Sequence, residues 1–406
     1  MFQTNKLGVL SLLVYLIPIS FIFGILITEI LVLSICILFL HICFVNKITI
    51  YFKTFYFKFL ILIYFFLIAN SIFSGDLFLS IKVSIPYIRY IILSLAIWFL
   101  IEKNKNFIKE FSYFFLPVLA FLVFDGFIQY FIGSNIIGFS TQSSRLSSFF
   151  FDEWILGSFI QKFFPLLIFV LFYNLERKQY LNLKLISLIL AYLIVFLSGE
   201  RAAFFLLSFY IILILPPLFL INKKINKLIY LLIPIVFIVF ILSPVKERVF
   251  LLNSNADFKT SAIKFYNSNY SLYLKTSINI FLDNKIIGSG VKTYRVKCKD
   301  YYDVDVTKSC STHPHNYYLQ VLAECGLIGL LTLISILLYL ISSYIRLISK
   351  GKNYIKENFN KIILLSGLLV FIWPFATTGS FFNNFISIIL FFNLGFFLGN
   401  SNSKKV

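Results

Sequence analysis

Apolar runs of about 20 residues recur along this chain, separated by short basic or polar stretches. A run that long has to sit in hydrocarbon, where each backbone amide must be satisfied within its own segment. Each run is therefore a helix that spans a membrane. A hydrophobic content of 60%, a charged fraction of 13% and a mean hydropathy of +0.91 exceed what a soluble core can bury. A transmembrane barrel would need period-2 alternation, which is absent. The pattern predicts an all-α polytopic transmembrane bundle of about twelve spans, near 7–24, 26–45, 55–74, 81–101, 111–132, 154–175, 183–199, 201–221, 226–243, 317–345, 361–376 and 381–399. Spans one to nine occupy 1–243, one large loop occupies 244–316, and spans ten to twelve with a tail occupy 317–406. The run beginning near Leu7 lacks a small-residue cleavage site and is expected to stay as a helix.

Charge sets the expected orientation. The net charge of +19 does not point to nucleic acid, because the basic residues sit in short clusters between apolar runs. With the N-terminus inside, the inside segments hold 20 of the 36 Lys and Arg, and the short outside loops hold almost none. The opposite orientation inverts this, so both termini are expected in the cytoplasm. The 244–316 loop then faces outward. It carries 11 basic and six acidic residues, a balance that suits an anionic ligand such as a phosphate-bearing lipid, or is ordinary solvated loop charge.

The polar residues that remain are few enough to weigh singly. Two of the three histidines, His313 and His315, fall where the long loop gives way to an apolar helix. A neutral imidazole at a membrane surface is a candidate general base. If the helix starts near His315, then Leu319, Leu322, Gly326 and Gly329 lie within about 40° of it. This would leave an apolar, then small, stripe beneath the ring, with Glu324 on the far side. Arg201 follows Ser198-Gly199-Glu200 at the outer junction of two spans, with Ala202 and Ala203 leaving room for a phosphate against its guanidinium. The alternatives are a snorkelling arginine or one paired with Glu200. Arg145 is a second candidate anion contact, or a salt-bridge partner of Asp152 or Glu153. Arg89 and Asp125 lie inside spans and either pair or leave Arg89 to line a cavity. Glu29 and His41 are expected to be structural, and Cys36, Cys43 and Cys325 to be inert packing. Cys298 and Cys310, twelve residues apart, have two readings: a disulfide in an oxidising compartment, or Cys310 with His313 and His315 as metal ligands. The spacing matches no standard zinc pattern.

His315-Asn316, nine residues, and then Gly326-Leu327-Ile328-Gly329 resembles the signature of the O-antigen ligase and O-antigen polymerase family. Ser198-Gly199-Glu200-Arg201, Arg145-Leu146-Ser147-Ser148-Phe149-Phe150-Phe151-Asp152, Ile287-Gly288-Ser289-Gly290 and the stretch from Pro374 to Asn383 resemble further family segments, together spanning roughly 140–399. The resemblance implies a glycosyltransferase of the bacterial inner membrane with its active site facing the periplasm. The donor would be an undecaprenyl-pyrophosphate-linked glycan. The acceptor would be lipid A–core in a ligase, which is the preferred reading, or another lipid-linked glycan in a polymerase. His315 is the candidate catalytic residue, with Arg201, Arg145, Arg89, Asn316, Lys275, Arg295 and His313 as candidate substrate contacts, and the resemblance marks Gly326 and Gly329 as structural positions. Membrane lipid is an expected partner, and no metal, cofactor or nucleic acid is expected. One departure stands out. The family often has an arginine about 18 residues before the first Gly of the Gly-x-Gly turn, and here that place falls near Tyr270. Lys275, Lys292 or Arg295 would have to replace it. A transporter, the alternative of another class, predicts internal repeats and spans broken at the midplane; no convincing repeat is visible.

Overall fold

The computed structural model describes residues 2–141, 145–173, 181–221, 240–243, 245, 269–301 and 310–402. Among these there is no β-strand, only an isolated bridge between Ser134 and Ser140. The helices are α1 (Phe2–Ser20), α2 (Ile25–Val45), α3 (Phe55–Ile72), α4 (Leu77–Ser84), α5 (Ile88–Lys103), α6 (Phe107–Ile132), α7 (Leu156–Phe172), α8 (Leu181–Leu197), α9 (Arg201–Ile221), α10 (Asn269–Asp283), α11 (Tyr317–Ile348), α12 (Phe359–Phe371) and α13 (Asn384–Asn402). Eight segments are long and apolar enough to cross a membrane, with α4 and α5 acting as one, and α7, α8 and α12 are shorter apolar helices. Helices therefore stand at eleven of the expected positions. The expected ninth span, 226–243, lies largely outside the described residues, as do 246–268 and 302–309 of the long loop.

Local chemistry sets the helix ends. Thr54 caps α3 by accepting from the Phe57 amide, and Asp76 caps α4 by accepting from the Leu79 amide. The two expected C-terminal spans, 361–376 and 381–399, are trimmed where they face each other. Helix α12 ends at Phe371 and α13 begins at Asn384. Pro374 cannot continue a helix, and Gly379 follows it, so residues 373–383 form a loop.

The core is aromatic. Phe107, Phe111, Phe115, Phe159 and Phe163 are fully buried, and Phe111 and Phe115 stack at 5.0 Å. Helix α13 runs parallel to α5 at close range, because a Cβ on Gly395 or Gly399 would strike Ile97 or Ile101. This pairing places the Lys103 end of α5 beside the C-terminal end of α13, away from the 373–383 loop. Exposed Phe44, Phe55, Phe78 and Phe131 form part of an outer apolar belt suited to lipid.

The expected alternative of an Arg89–Asp125 pair is not formed. Arg89 donates to Glu29 at 2.7 and 3.1 Å, to Pro86 O at 2.7 Å and to the Tyr90 hydroxyl at 2.6 Å. This web ties α2 to α5. Asp125 accepts instead from the Ile136 amide at 2.9 Å and from the Ser148 hydroxyl. Gln129, one turn later, accepts from the Ser147 and Ser148 amides at 3.0 and 2.8 Å. Two buried polar side chains of α6 thus hold the loop that carries Arg145.

Candidate active site

The histidine segment departs from the expected geometry. Helix α11 begins at Tyr317, and Asn316 is its cap, accepting from the Tyr318 and Leu319 amides at 2.9 and 3.1 Å. His315 lies outside the helix, with φ of +56°. The capping side chain wins because an aspartamide satisfies two orphan amides that a histidine at that point would leave open. The stripe beneath His315 is corrected accordingly: its ring does not stand above Leu319, Leu322 and Gly326.

The loop between α12 and α13 holds the histidine in place. The Thr378 amide donates to His315 O at 2.8 Å. Asn316 Nδ2 donates to Pro374 O at 2.7 Å and to Ala376 O at 3.3 Å. Tyr318 donates to Ile372 O at 2.9 Å, and the Phe381 amide donates to Gln320 Oε1 at 2.8 Å. Helix α10 supplies the other wall, with the Tyr273 and Tyr270 rings 5.4 and 6.4 Å from the His315 ring. The His313 ring lies tilted 4.2 Å from the His315 ring, and Ser311 Oγ lies 3.5 Å from His315 Nε2. Burial pushes His313 down to about 4, helped by the His315 ring and Arg295 and opposed by the nearby Thr378 backbone. Burial also lowers His315, against the same Thr378 contact. Both rings are therefore neutral at physiological pH.

Three polar atoms of this region are buried without a hydrogen-bond partner among the described residues: His313 Nε2, Arg295 Nε and Thr378 Oγ1. Such groups are costly to leave unpaired and are commonly met by a ligand. Cys298 and Cys310 form a disulfide with Cα atoms 5.1 Å apart, just ahead of Ser311. That bond occupies Cys310, so the alternative of a Cys310-His313-His315 metal set does not hold. No group of three or more metal-ligating residues occurs among the described residues.

The glycine signature has a backbone cause. Helix α11 breaks at Gly326, where φ is +63° and ψ is −159°, a combination only glycine adopts without strain. The break frees two amides and two carbonyls, and the 285–290 turn takes all of them. Leu327 N donates to Lys285 O at 2.8 Å and Ile328 N to Ile286 O at 3.3 Å. Ser289 N donates to Ala323 O at 3.0 Å and Gly290 N to Glu324 O at 2.9 Å. A Cβ on Gly288 or Gly326 would strike the opposing backbone. Asn70 of α3 donates to Glu324 O at 3.0 Å and to Ile287 O. The fully buried Glu324 carboxylate accepts from the Lys292 and Tyr294 amides at 2.8 and 3.1 Å and from Gln320 at 3.1 Å. Glu324 therefore positions the segment that carries Arg295. Sequence reasoning set it aside for lying opposite His315. An acid within an apolar helix, four residues after Gln320, was the signal that could have found it.

Among the candidate replacements for the arginine absent at Tyr270, Arg295 sits close enough to His313 to lower it. Lys292 is half-buried beside Arg295 and Glu324, and burial lowers its ammonium. Lys275 shares α10 with Tyr273. Two residues of helix turn place it about 160° around the axis, away from the face Tyr273 presents to His315.

Arg201 and Arg145 form a second basic group at the same end of the bundle. Arg201 opens α9 and is exposed. Phe209, two turns further along α9, packs 4.5 Å from Trp373 at the start of the histidine-holding loop. Glu200 accepts from the Gly157 and Ser158 amides at the start of α7 at 2.6 and 3.2 Å. Leu146 N donates to Ser198 O at 3.4 Å, which docks the Arg145 loop onto the Arg201 turn. Arg145 lies 5.0 Å over the Trp154 ring rather than in an ion pair with Asp152 or Glu153.

An apolar cavity of about 390 Å³ runs between α3 and α11. Val321, Ile372 and Phe381 form one end, beside the histidine-holding loop. Phe55 and Tyr339 line the other end, and Gly329 faces it along the way. Gly329 therefore contributes room to the cavity, whereas Gly326 makes the helix break.

No curated protein matches the chain. Residues 185–334 match the family model of the O-antigen ligases. The matched segment contains the Arg201 turn, the 285–290 turn, the histidine loop and the Gly326 break. The histidine signature and the family match thus coincide on one part of the chain, and they support the O-antigen ligase family for this protein.

Proposed function

We propose that this protein is a membrane glycosyltransferase that moves a glycan from undecaprenyl pyrophosphate to an acceptor hydroxyl at the periplasmic face of the bacterial inner membrane. The preferred reaction is ligation of O-antigen to lipid A–core. The observation that carries this is the set of unpartnered buried polar atoms at Arg295, His313 and Thr378 around a neutral His315, next to one end of a long apolar cavity. The polyprenyl tail lies in that cavity and the pyrophosphate faces the basic groups. His315 takes the proton of the acceptor hydroxyl as its oxygen bonds to the sugar C1. The bond from C1 to the pyrophosphate oxygen breaks, and the leaving group carries the electron pair. Arg295, with Arg201 and Arg145, stabilises the negative charge that builds on it. Asn316 positions the histidine rather than touching substrate.

The same arrangement serves a polymerase, with a second lipid-linked repeat as acceptor. Complementation separates the readings. The gene is expressed in a ligase-null and a polymerase-null strain, and the polysaccharide ladder is resolved on a gel. The ligase reading expects a restored ladder on lipid A–core in the first strain alone. Rescue of only the second makes the protein a polymerase, and rescue of neither removes both.

A further inference from the structure

A second site lies at the opposite end of the bundle. The N-terminal turns of α1 and the C-terminal turns of α2 and α5 enclose a cavity of about 420 Å³. Its polar lining is Lys6, His41, Asn46 and Lys103, and its apolar walls include Leu7, Ile42, Val45 and Phe99. Lys6 Nζ lies 2.9 Å from His41 Nε2, so an ammonium and an imidazole converge on one point. The carboxylates nearest in sequence are held by other donors. Glu102 accepts from the Tyr51 hydroxyl and the Trp98 indole, each at 2.6 Å. Glu110 accepts from the Tyr15 hydroxyl at 2.9 Å and from Asn104 at 3.3 Å. Neither Lys6 nor Lys103 makes an ion pair among the described residues. Exposed Lys47, Lys105 and Lys109 add to the positive potential.

We propose that this cavity binds the phosphate headgroup of an anionic phospholipid from the leaflet on the Lys103 side. The charge calls for an anion, and the apolar walls call for acyl chains alongside it; a free phosphate would leave the exposed Val45 and the half-buried Leu7 and Ile48 of the lining wet. The site is separate from the histidine centre and does not depend on glycosyl transfer.

Native mass spectrometry of the full-length protein tests it, using micelles with equal amounts of phosphatidylglycerol and phosphatidylcholine of identical chains. The wild type retains phosphatidylglycerol in excess. Lys6→Gln and Lys103→Gln each lower that preference roughly fivefold, the scale of one lysine against anionic lipid. Lys356→Gln, outside the cavity lining, leaves it unchanged, and excess inorganic phosphate does not displace the lipid. Equal retention of both lipids overturns the proposal. So does an equal loss with Lys356→Gln, which would mean diffuse surface charge, or displacement by phosphate, which would mean a free-anion site. If Lys103→Gln fails to fold, Lys6→Gln, in the first turns of α1, decides the outcome.

Discussion

At the scale of single residues, the site is a contest between burial and charge. His313 and His315 are held neutral by burial, so His315 is ready to accept a proton without first losing one. A base is active only when deprotonated. Because its affinity for protons lies below the ordinary histidine value of about 6.5, transfer should stay level from pH 8 down to that value and fall only below it. A pH–rate profile in proteoliposomes checks this; a half-maximum at or above pH 7 would contradict it. The histidines were legible in the sequence because ionisable residues are scarce there. The partner of Arg89 was not legible because a charge inside a span does not reveal what it pairs with, and Glu29 lies 60 residues away. Gln320, Asn70 and Tyr273 were missed because their roles rest on contacts with distant segments, such as Gln320 with Ser380 at 3.0 Å.

At the scale of elements, spans read well and their interruptions did not. Hydropathy reports that a segment is apolar, and it is silent on whether a glycine inside continues the helix. The break at Gly326 needs a second strand of backbone to satisfy what it frees, and that strand comes from 285–290. A broken span is also what a transporter would show. Here the break is sealed by the chain's own turn rather than lining an ion path, so it serves to fix the Arg295 segment against the histidine loop. Gly326→Ala would add a Cβ against Gly288 N and Ile286 O in a backbone region closed to alanine. The cost is about 1–3 kcal/mol from backbone strain alone. The variant should melt lower in detergent by several degrees and lose most of its product. Wild-type melting and activity would show that the interlock is dispensable. Helix α11 starts where the expected span does, at residue 317; what fails is the supposition that it reaches back to His315, because Asn316 offers a better cap than its neighbour.

At the scale of the whole molecule, the chain places polar chemistry at one end and hydrocarbon between α3 and α11. The cavity predicts a dependence on lipid length. Thr332→Trp, which fills the cavity midway along α11, should raise KM for a full-length polyprenyl donor about tenfold or more, on the scale of a few buried methylenes. It should alter KM little for a donor with a short prenyl chain; equal effects on both would place the tail elsewhere. The bundle itself followed from the apolar runs, because lipid leaves a helix little alternative. The pairing of its ends did not, since helix-to-helix contacts depend on small residues such as Gly395 and Gly399 meeting Ile97 and Ile101. The claim that joins both ends of the account is that His315 performs glycan transfer. The direct measurement is product formation by purified wild type and His315→Ala in proteoliposomes, with a lipid-linked glycan donor and a lipid A–core acceptor. Both proteins are matched for amount and melting temperature. The account predicts product from the wild type and a loss of about 10²-fold or more in the variant. Wild-type product from His315→Ala would contradict it.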